Sequence, residues 1–410
     1  MRIGAPNSGL LGQALVGGIS FLGLAIVVRA FSAEAIDFVV YRAGGAAVLF
    51  STPLYDGPVF QDVSFVYTPF AALLFTPFAL LPAVVAQATW VVANYALLVF
   101  VAWRSWQSIA ELRGRVLIAA VVLTASVIML TEAVRTNFYV GQINLVLLAL
   151  VVADLMGSDG RRTRGIGVGI AAGIKLTPLF FVLYLLALRQ FRAAAVAAGT
   201  FAGTILIGFA LLPGDSMKYW LKGAFADSGR IYADLRSTHN QSIRGLVLRS
   251  GLSETGVLWV WGTLATVVGA IALIIAARAT RRGQRLLGIT MCGACAAAIS
   301  PWSWGHHWVW ILPLAVIAIH RVVVSAGRTP WVVICLLLPL TFPWVLALAD
   351  PPDAAGPAVL HSGPAALFIG NLYVLIFLAT LIISSWNTQA DAPLSTGEAF
   401  DVRPTEPPGD

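Results

Sequence analysis

Apolar runs long enough to enter a bilayer recur along almost the whole chain, separated by short links in which the arginines gather. A hydrocarbon core about 30 Å thick takes roughly 20 apolar residues per helical crossing. With 59% of residues hydrophobic and only 11% charged, the chain falls well below the roughly 25% charge of an average soluble domain. Hydropathy spread this evenly means many spans rather than one anchor, so the sequence predicts an all-α polytopic membrane protein. The formal charge of +7 does not argue for a nucleic-acid partner. Its basic residues lie in the links, where the positive-inside rule puts them.

Read in order, the runs suggest 11–12 transmembrane segments. The first, 11–31, lacks a cleavage-like motif and is expected to stay as a span. Others lie at 68–82, 84–103, 116–131, 139–156, 165–188, 193–213, 255–278, 286–300, from Val309 to Ile319, 330–349 and 364–385. Residues 1–385 thus form one membrane domain with outer loops at 32–67 and 214–254. The Pro- and Asp-rich remainder, 386–410, reads as a disordered cytoplasmic tail. Lys175 and Pro178 interrupt the 165–188 run, which suggests two half-helices. Gly165, Gly169 and Gly173 precede them at the small-xxx-small spacing of closely packed helices.

If the Arg-rich links 278–285 and 321–328 are cytoplasmic, the loops 32–67, 214–254, 301–307 and 350–363 lie outside. Simple counting then leaves Arg104–Arg115 and Arg161–Arg164 outside too, against the charge rule. Making 68–82 and the Lys175–Pro178 segment re-entrant restores the rule. Both versions keep 32–67 outside.

Several polar groups are expensive at the membrane edge unless they face water, a partner or a substrate. Asp37 closely follows the first span, beside Tyr41 and Arg42. Partial desolvation there would raise its pKa toward the range of a general base, while a solvated pair with Arg42 is the plainer alternative. Asp56 and Asp62 flank Gly57-Pro58 and suit a turn. Lys175 could snorkel to a headgroup or hold a phosphate. His306 and His307 could donate to a phosphate, or simply cap a tryptophan-anchored boundary. Arg236, His239, Asn240, Gln241 and Arg244 offer donors for an anionic or sugar ligand. Asn240-Gln-Ser242 matches the short glycosylation pattern and is discounted. Cys292-Gly-Ala-Cys295 reads as packing material in a small-residue run. The chain has no phosphate loop, no H-E-x-x-H and no D-x-D site, which argues against an ATP-driven pump, a zincin protease or nucleotide-sugar chemistry.

Six stretches in order, DFVVYRAGGAAVL with PLYD, FVYTPFAALLFTPFALLP, NFYVGQINLVLL, GIAAGIKLTPLFFVLYLL, HNQSIRGLVLR and SPWSWGHHWVW, resemble glycosyltransferase family 87. The resemblance covers about residues 37–310. It implies the multi-spanning C-type glycosyltransferase fold and transfer of mannose from polyprenyl-phosphate-mannose to a mannolipid of phosphatidylinositol mannoside or lipomannan type. The expected linkage is α-(1→2), formed with inversion on the outer face of the plasma membrane. Asp37 matches the family's candidate catalytic aspartate. Tyr67, Gln142, Asn144, Lys175, Asn240, Gln241, His306 and His307 match other polar motif positions. On this reading His306, His307, Lys175, Arg244, Gln142 and Asn144 serve the donor phosphate or sugar, while Tyr41, Arg42, Tyr67, His239, Asn240 and Gln241 serve the acceptor or sugar. No metal or cofactor is expected beyond the lipid-linked donor, because Lys, Arg and His can stabilise a phosphate leaving group. Three readings compete: a secondary transporter or flippase with broken helices, a non-catalytic assembly protein, and a transferase of another lipid-linked sugar. A transporter should show two related halves, and 165–190 has no counterpart in the second half.

Overall fold

The computed structural model describes residues 8–227, 235–324, 329–342 and 368–386. The expected tail beyond Trp386, the 350–363 loop, part of the 214–254 loop, the end of the 330–349 span and the start of the 364–385 span lie outside the described residues.

The chain is helical almost throughout. In order it forms α1 (Ser8–Ala30), α2 (Ile36–Leu49), a small antiparallel hairpin β1 (Pro58–Phe60) and β2 (Val63–Ser64), and α3 (Pro69–Leu80). Next come α4 (Ala83–Ile109), α5 (Gly114–Ile128), α6 (Glu132–Tyr139), α7 (Asn144–Leu155), α8 (Ile166–Ile174), α9 (Phe180–Ala187) and α10 (Phe191–Leu211). The remainder comprises α11 (Pro213–Ser216), α12 (Ile243–Leu248), α13 (Glu254–Arg281), α14 (Arg285–Ile299), α15 (Ile311–Val324), α16 (Thr329–Leu337) and α17 (Leu372–Trp386). Among the described residues, α4, α10 and α13 are each long and apolar enough to cross a membrane. The α5–α6 pair also qualifies, as two helices bent by 79°. Eight more apolar helices are shorter. The 32–67 stretch is structured, as it holds α2 and the hairpin.

Hydrogen bonds among the arginine-rich links identify one face of the molecule. Arg104 donates to the Met156 carbonyl at 3.2 Å, and Arg164 to Gln190 Oε1 at 3.0 Å. Arg192 reaches the Gly160 and Arg161 carbonyls, Arg285 reaches Gly157 and Asp159, and Arg281 reaches the Ala187 carbonyl. The links 104–113, 156–165, 187–192 and 278–285 therefore share a face. Both ends of the 165–190 segment lie on it, so α8 rises from this face and α9 returns to it. This is a re-entrant hairpin with Lys175 at its tip, where the backbone turns extended (φ −145°, ψ 133°). The short α3 does not reach the basic face. It starts where Thr68, its N-cap, accepts from Ala71 N–H and donates to the Gly173 carbonyl at the hairpin tip. It ends beside Arg42, which binds the Phe78 and Leu81 carbonyls. At 12 residues and 1.5 Å per residue, α3 is roughly 18 Å long, too short to span. This short helix and the α8–α9 hairpin fit the re-entrant version of the topology.

An aromatic cluster fastens α2 to α3 and α4. Phe38 stacks on Trp90 with centroids 5.0 Å apart, and Tyr41 stacks on Phe75 at 4.5 Å. Such pairs contribute about 0.5–1.5 kcal/mol each beyond their buried area. The glycine pair in the α2 motif permits the close approach: a Cβ on Gly45 would lie 2.6 Å from the Phe75 backbone.

Candidate active site

The site forms opposite the basic face, where the start of α2, the α6–α7 turn, the α8–α9 tip and the 301–310 link meet. Asp37 is in the first turn of α2, whose N–H groups have no partner within the helix. Two of them, from Asp37 and Phe38, donate to the Val140 carbonyl at 2.9 and 3.2 Å. That contact sets Asp37 against the α6–α7 turn. Gly141 completes the turn at φ +72°, and a Cβ there would meet Phe38 Cβ at 2.5 Å, so glycine is required on both counts. Trp90 Nε1 donates to the Gly141 carbonyl at 2.8 Å, which ties α4 into the same corner.

A directional hydrogen-bond network runs through the site. Gln142 Nε2 donates to Asp37 Oδ2 at 2.9 Å, and Gln142 Oε1 accepts from Tyr41 and Tyr67 at 2.9 and 3.1 Å. Lys175 Nζ donates to Asn144 Oδ1 at 3.1 Å and lies 3.0 Å from His307 Nε2. Since an ammonium only donates, His307 accepts at Nε2 and carries its proton on Nδ1. Asn144 Nδ2 then donates to the His306 carbonyl at 2.9 Å, and Asn137 Nδ2 to the same oxygen at 2.8 Å. The two asparagines thereby hold the histidine pair against the α6–α7 turn.

Exposure divides these residues into two sets. Asp37, Lys175 and His307 are half-buried and reachable. Tyr41, Tyr67, Asn137, Gln142, Asn144 and His306 are all buried. Burial pushes the Asp37 carboxyl up to about 6, opposed by the Gln142 hydrogen bond and the Lys175 charge. Burial, then the Lys175 charge, holds the His307 ring well below the usual histidine range, so it stays neutral. A small cleft adjoins this set, lined by Asn144 and His307 at its polar end and by Leu147, Pro178, Phe181 and Trp310 elsewhere.

Other residues singled out in the sequence have different surroundings. Arg42 clamps the end of α3 and has no contact with Asp37 in the resolved network. Asn240 is fully buried: its Oδ1 accepts from Ser242 and Ser303, and its Nδ2 donates to the Leu235 carbonyl. A side chain so enclosed cannot be a glycan acceptor in the folded protein. Gln241 bonds the Thr238 and Ile369 carbonyls and accepts from Tyr373 N–H, so it joins the outer loop to α17. Arg244 lies over the Trp261 ring of α13 at 5.4 Å. His239 is exposed, with its ring 5.8 Å from Trp304. Trp304 in turn stacks on His306. Asp56 pairs with Lys218 at 2.5 Å on the surface. Asn137 opens the NFYVGQINLVLL motif, yet the sequence assigns it no role, because its partner, the His306 carbonyl, lies 169 residues away. Among the described residues no group of three or more His, Cys, Asp or Glu side chains is placed to hold a metal ion.

A carboxylate of raised basicity facing an ammonium–imidazole pair beside an apolar cleft suits transfer from an amphipathic phosphate donor to a hydroxyl. Comparison with known proteins agrees in kind. A family model described as glycosyltransferase family 87 matches residues 65–301. A polyprenol-phosphate-mannose-dependent α-(1-2)-phosphatidylinositol mannoside mannosyltransferase of Mycobacterium tuberculosis is 35% identical over 300 residues, covering 69% of each chain. A protein of the same description from Mycolicibacterium smegmatis is 35% identical over 324 residues, covering 72% of each. A polyprenol-phosphate-mannose-dependent α-(1-2)-phosphatidylinositol pentamannoside mannosyltransferase of M. tuberculosis is 32% identical over 371 residues, 85% of this chain and 80% of its own.

Proposed function

Because the chain belongs to glycosyltransferase family 87, we propose that it moves mannose from polyprenyl-phosphate-mannose to a phosphatidylinositol mannoside, in α-(1→2) linkage. Membership makes the protein a glycosyltransferase and sets the transporter reading aside. The observation that carries the finer reading is that Asp37, reachable beside the α6–α7 turn, shares the site with the reachable Lys175–His307 pair. The names of the relatives support the choice of donor and acceptor class.

In the proposed step Asp37 takes the proton from the acceptor 2-hydroxyl as that oxygen attacks the anomeric carbon. The bond from that carbon to the phosphate oxygen breaks, and its electron pair leaves with polyprenyl phosphate. A β-linked donor giving an α product requires one displacement with inversion and one base. Charge developing on the leaving phosphate is met by Lys175 and by the Nδ1–H of His307, groups already oriented before substrate binds. Lys175 spends two of its three N–H groups on Asn144 and His307, which leaves one for the phosphate. The apolar side of the adjoining cleft suits the first isoprenoid units. No metal is invoked, since positive charge is supplied by the protein. By the positive-inside rule the arginine-lined face is cytoplasmic, so the site opens outward at the plasma membrane.

The experiment is transfer from labelled polyprenyl-phosphate-mannose to a panel of mannolipid acceptors by the purified protein. Asp37→Asn should abolish transfer while folding and donor binding persist. Near-normal turnover by that variant would refute the base assignment, and labelling of no mannolipid by the wild type would refute the acceptor class.

A further inference from the structure

Gln142 entered the sequence reading as a residue for the donor. Its surroundings argue otherwise, because it is only 4% exposed and its bonds point at Asp37 and two phenols. We propose that Gln142 is the positioning residue of the base: its amide is locked from one end, holds Asp37 Oδ2 with the other, and so leaves Oδ1 as the oxygen that receives the acceptor proton. This rests on the reading of Asp37 as the base.

The lock follows from counting donors. Four groups approach Gln142 Oε1: the Tyr41 and Tyr67 hydroxyls at 2.9 and 3.1 Å, Ile143 N–H at 3.3 Å and Asn144 Nδ2 at 3.4 Å. The last two can only donate. Turning the amide over would set N–H against N–H on that side and carbonyl oxygen against carboxylate on the other. The orientation is therefore dictated, and Nε2 must face Asp37. The Tyr41 and Tyr67 hydroxyls are also 2.8 Å apart. Three oxygens share two phenol protons, so the triangle is saturated with neighbours and has no room for a substrate hydroxyl.

The consequence for Asp37 is asymmetric. Oδ2 accepts from the amide, whereas Oδ1 receives no hydrogen bond from the described residues. A carboxylate free to rotate would offer either oxygen at varying angles. One pinned at Oδ2 presents Oδ1 at a single angle, and misplacement of a reacting group by about 1 Å can cost on the order of 100-fold in rate. The charged and titratable groups facing Asp37 are Lys175 from the hairpin tip, Tyr41 from its own helix and Tyr67 from the segment before α3. Both phenols stay protonated, so Lys175 is the only charge among them.

The test compares Gln142→Leu and the double variant Tyr41→Phe/Tyr67→Phe with wild type, in the full chain in lipid nanodiscs. Polyprenyl-phosphate-mannose and a phosphatidylinositol mannoside serve as substrates, and kcat, donor KM and the pH–rate profile are the readouts. Gln142→Leu should lower kcat by roughly 10- to 100-fold with donor KM nearly unchanged. Its acid limb should move up by about one pH unit, because the ionised carboxylate has lost a donor. The double variant leaves Oε1 short of donors and should shift the limb in the same direction by less. A rate or limb indistinguishable from wild type overturns the proposal, as does a fall in kcat with the limb unmoved, which is what a merely structural role predicts. Should Gln142→Leu not fold, the limb of the double variant decides. An Asp37→Asn variant assayed beside them separates the two readings: turnover there defeats the base itself, whereas a dead Asp37→Asn with a normal Gln142→Leu defeats only the positioning role.

Discussion

Lys175 and His307, 132 residues apart in the chain, meet with Nζ and Nε2 separated by 3.0 Å. One is at the tip of a re-entrant hairpin and the other in a short link between two apolar helices. Asn144 ties the two segments together, accepting from the lysine and donating to the carbonyl of the neighbouring His306. The imidazole consequently receives a hydrogen bond where a metal or a proton would otherwise sit.

Lys175→Met should remove the ammonium and lower kcat/KM by 100-fold or more, by analogy with the roughly 100- to 1000-fold cost of deleting one preorganised donor. His307→Ala should cost less and fall mainly on the donor, since the ring is neutral and acts as an oriented dipole. Donor titration of the transfer assay checks both. A Lys175→Met variant with normal kcat/KM would exclude the phosphate role.

Asp37 also makes a prediction about stability, and its sign is opposite to that of a salt-bridged carboxylate. Burial raises its folded-state pKa to about 6, above the unfolded value near 3.9. The folded state therefore binds the proton more tightly, and stability falls as pH rises from about 4 through about 6. Above that window the ionised carboxylate is held at a desolvation cost. Asp37→Asn should accordingly raise the thermal unfolding temperature at pH 7.5, and the gain should shrink toward pH 4.5. Calorimetric scans of both proteins at the two pH values test this; a gain that grew on acidification would contradict it. In the transfer assay the same pKa predicts a rate that rises with pH through about 6.

Asn240→Ala should behave as a structural lesion. Three hydrogen bonds are lost, two of them buried, and each buried unsatisfied partner costs about 1–3 kcal/mol. The variant should unfold at a clearly lower temperature while the folded fraction keeps the wild-type KM for both substrates. An unchanged stability with a raised acceptor KM would reassign the residue to sugar binding.

The topology predicts opposite labelling of two exposed positions. Asp62→Cys, between β1 and β2, should react with a membrane-impermeant maleimide in intact cells. Arg282→Cys, after α13, should react only once the membrane is opened. The native Cys292 and Cys295 are buried and Cys335 is half-buried, so a Cys335→Ser background suffices. Labelling of both positions from one side would contradict the assigned faces.

Much of the site was visible in the order of residues. Asp37, Lys175 and His307 each break an apolar context, and a charge or imidazole in such a place is costly enough to mark itself. The half-helices around Lys175 were equally legible, because a lysine and a proline cannot continue an apolar helix. Less legible was what the polar neighbours do. Gln142, Asn240 and Gln241 look alike in sequence, all being amides in polar motifs. An amide acquires its role only from what faces each end of it, and those partners come from distant segments.

Sequence alone determined that this chain lives in a membrane as packed helices, because composition and run length leave no other way to satisfy its backbone. It also marked the ionisable residues that a bilayer edge makes expensive. Tertiary structure decided which segments run from one face of the molecule to the other and which turn back. The 12-residue α3, about 18 Å long, and the 21-residue α10, about 32 Å long, read alike as apolar runs, and only the contacts at their ends identify the face each reaches. It decided, too, which polar groups remain reachable. Reachability depends on neighbours brought together by folding, and Asp37, Lys175 and His307 kept it while Gln142 and the tyrosines around it did not.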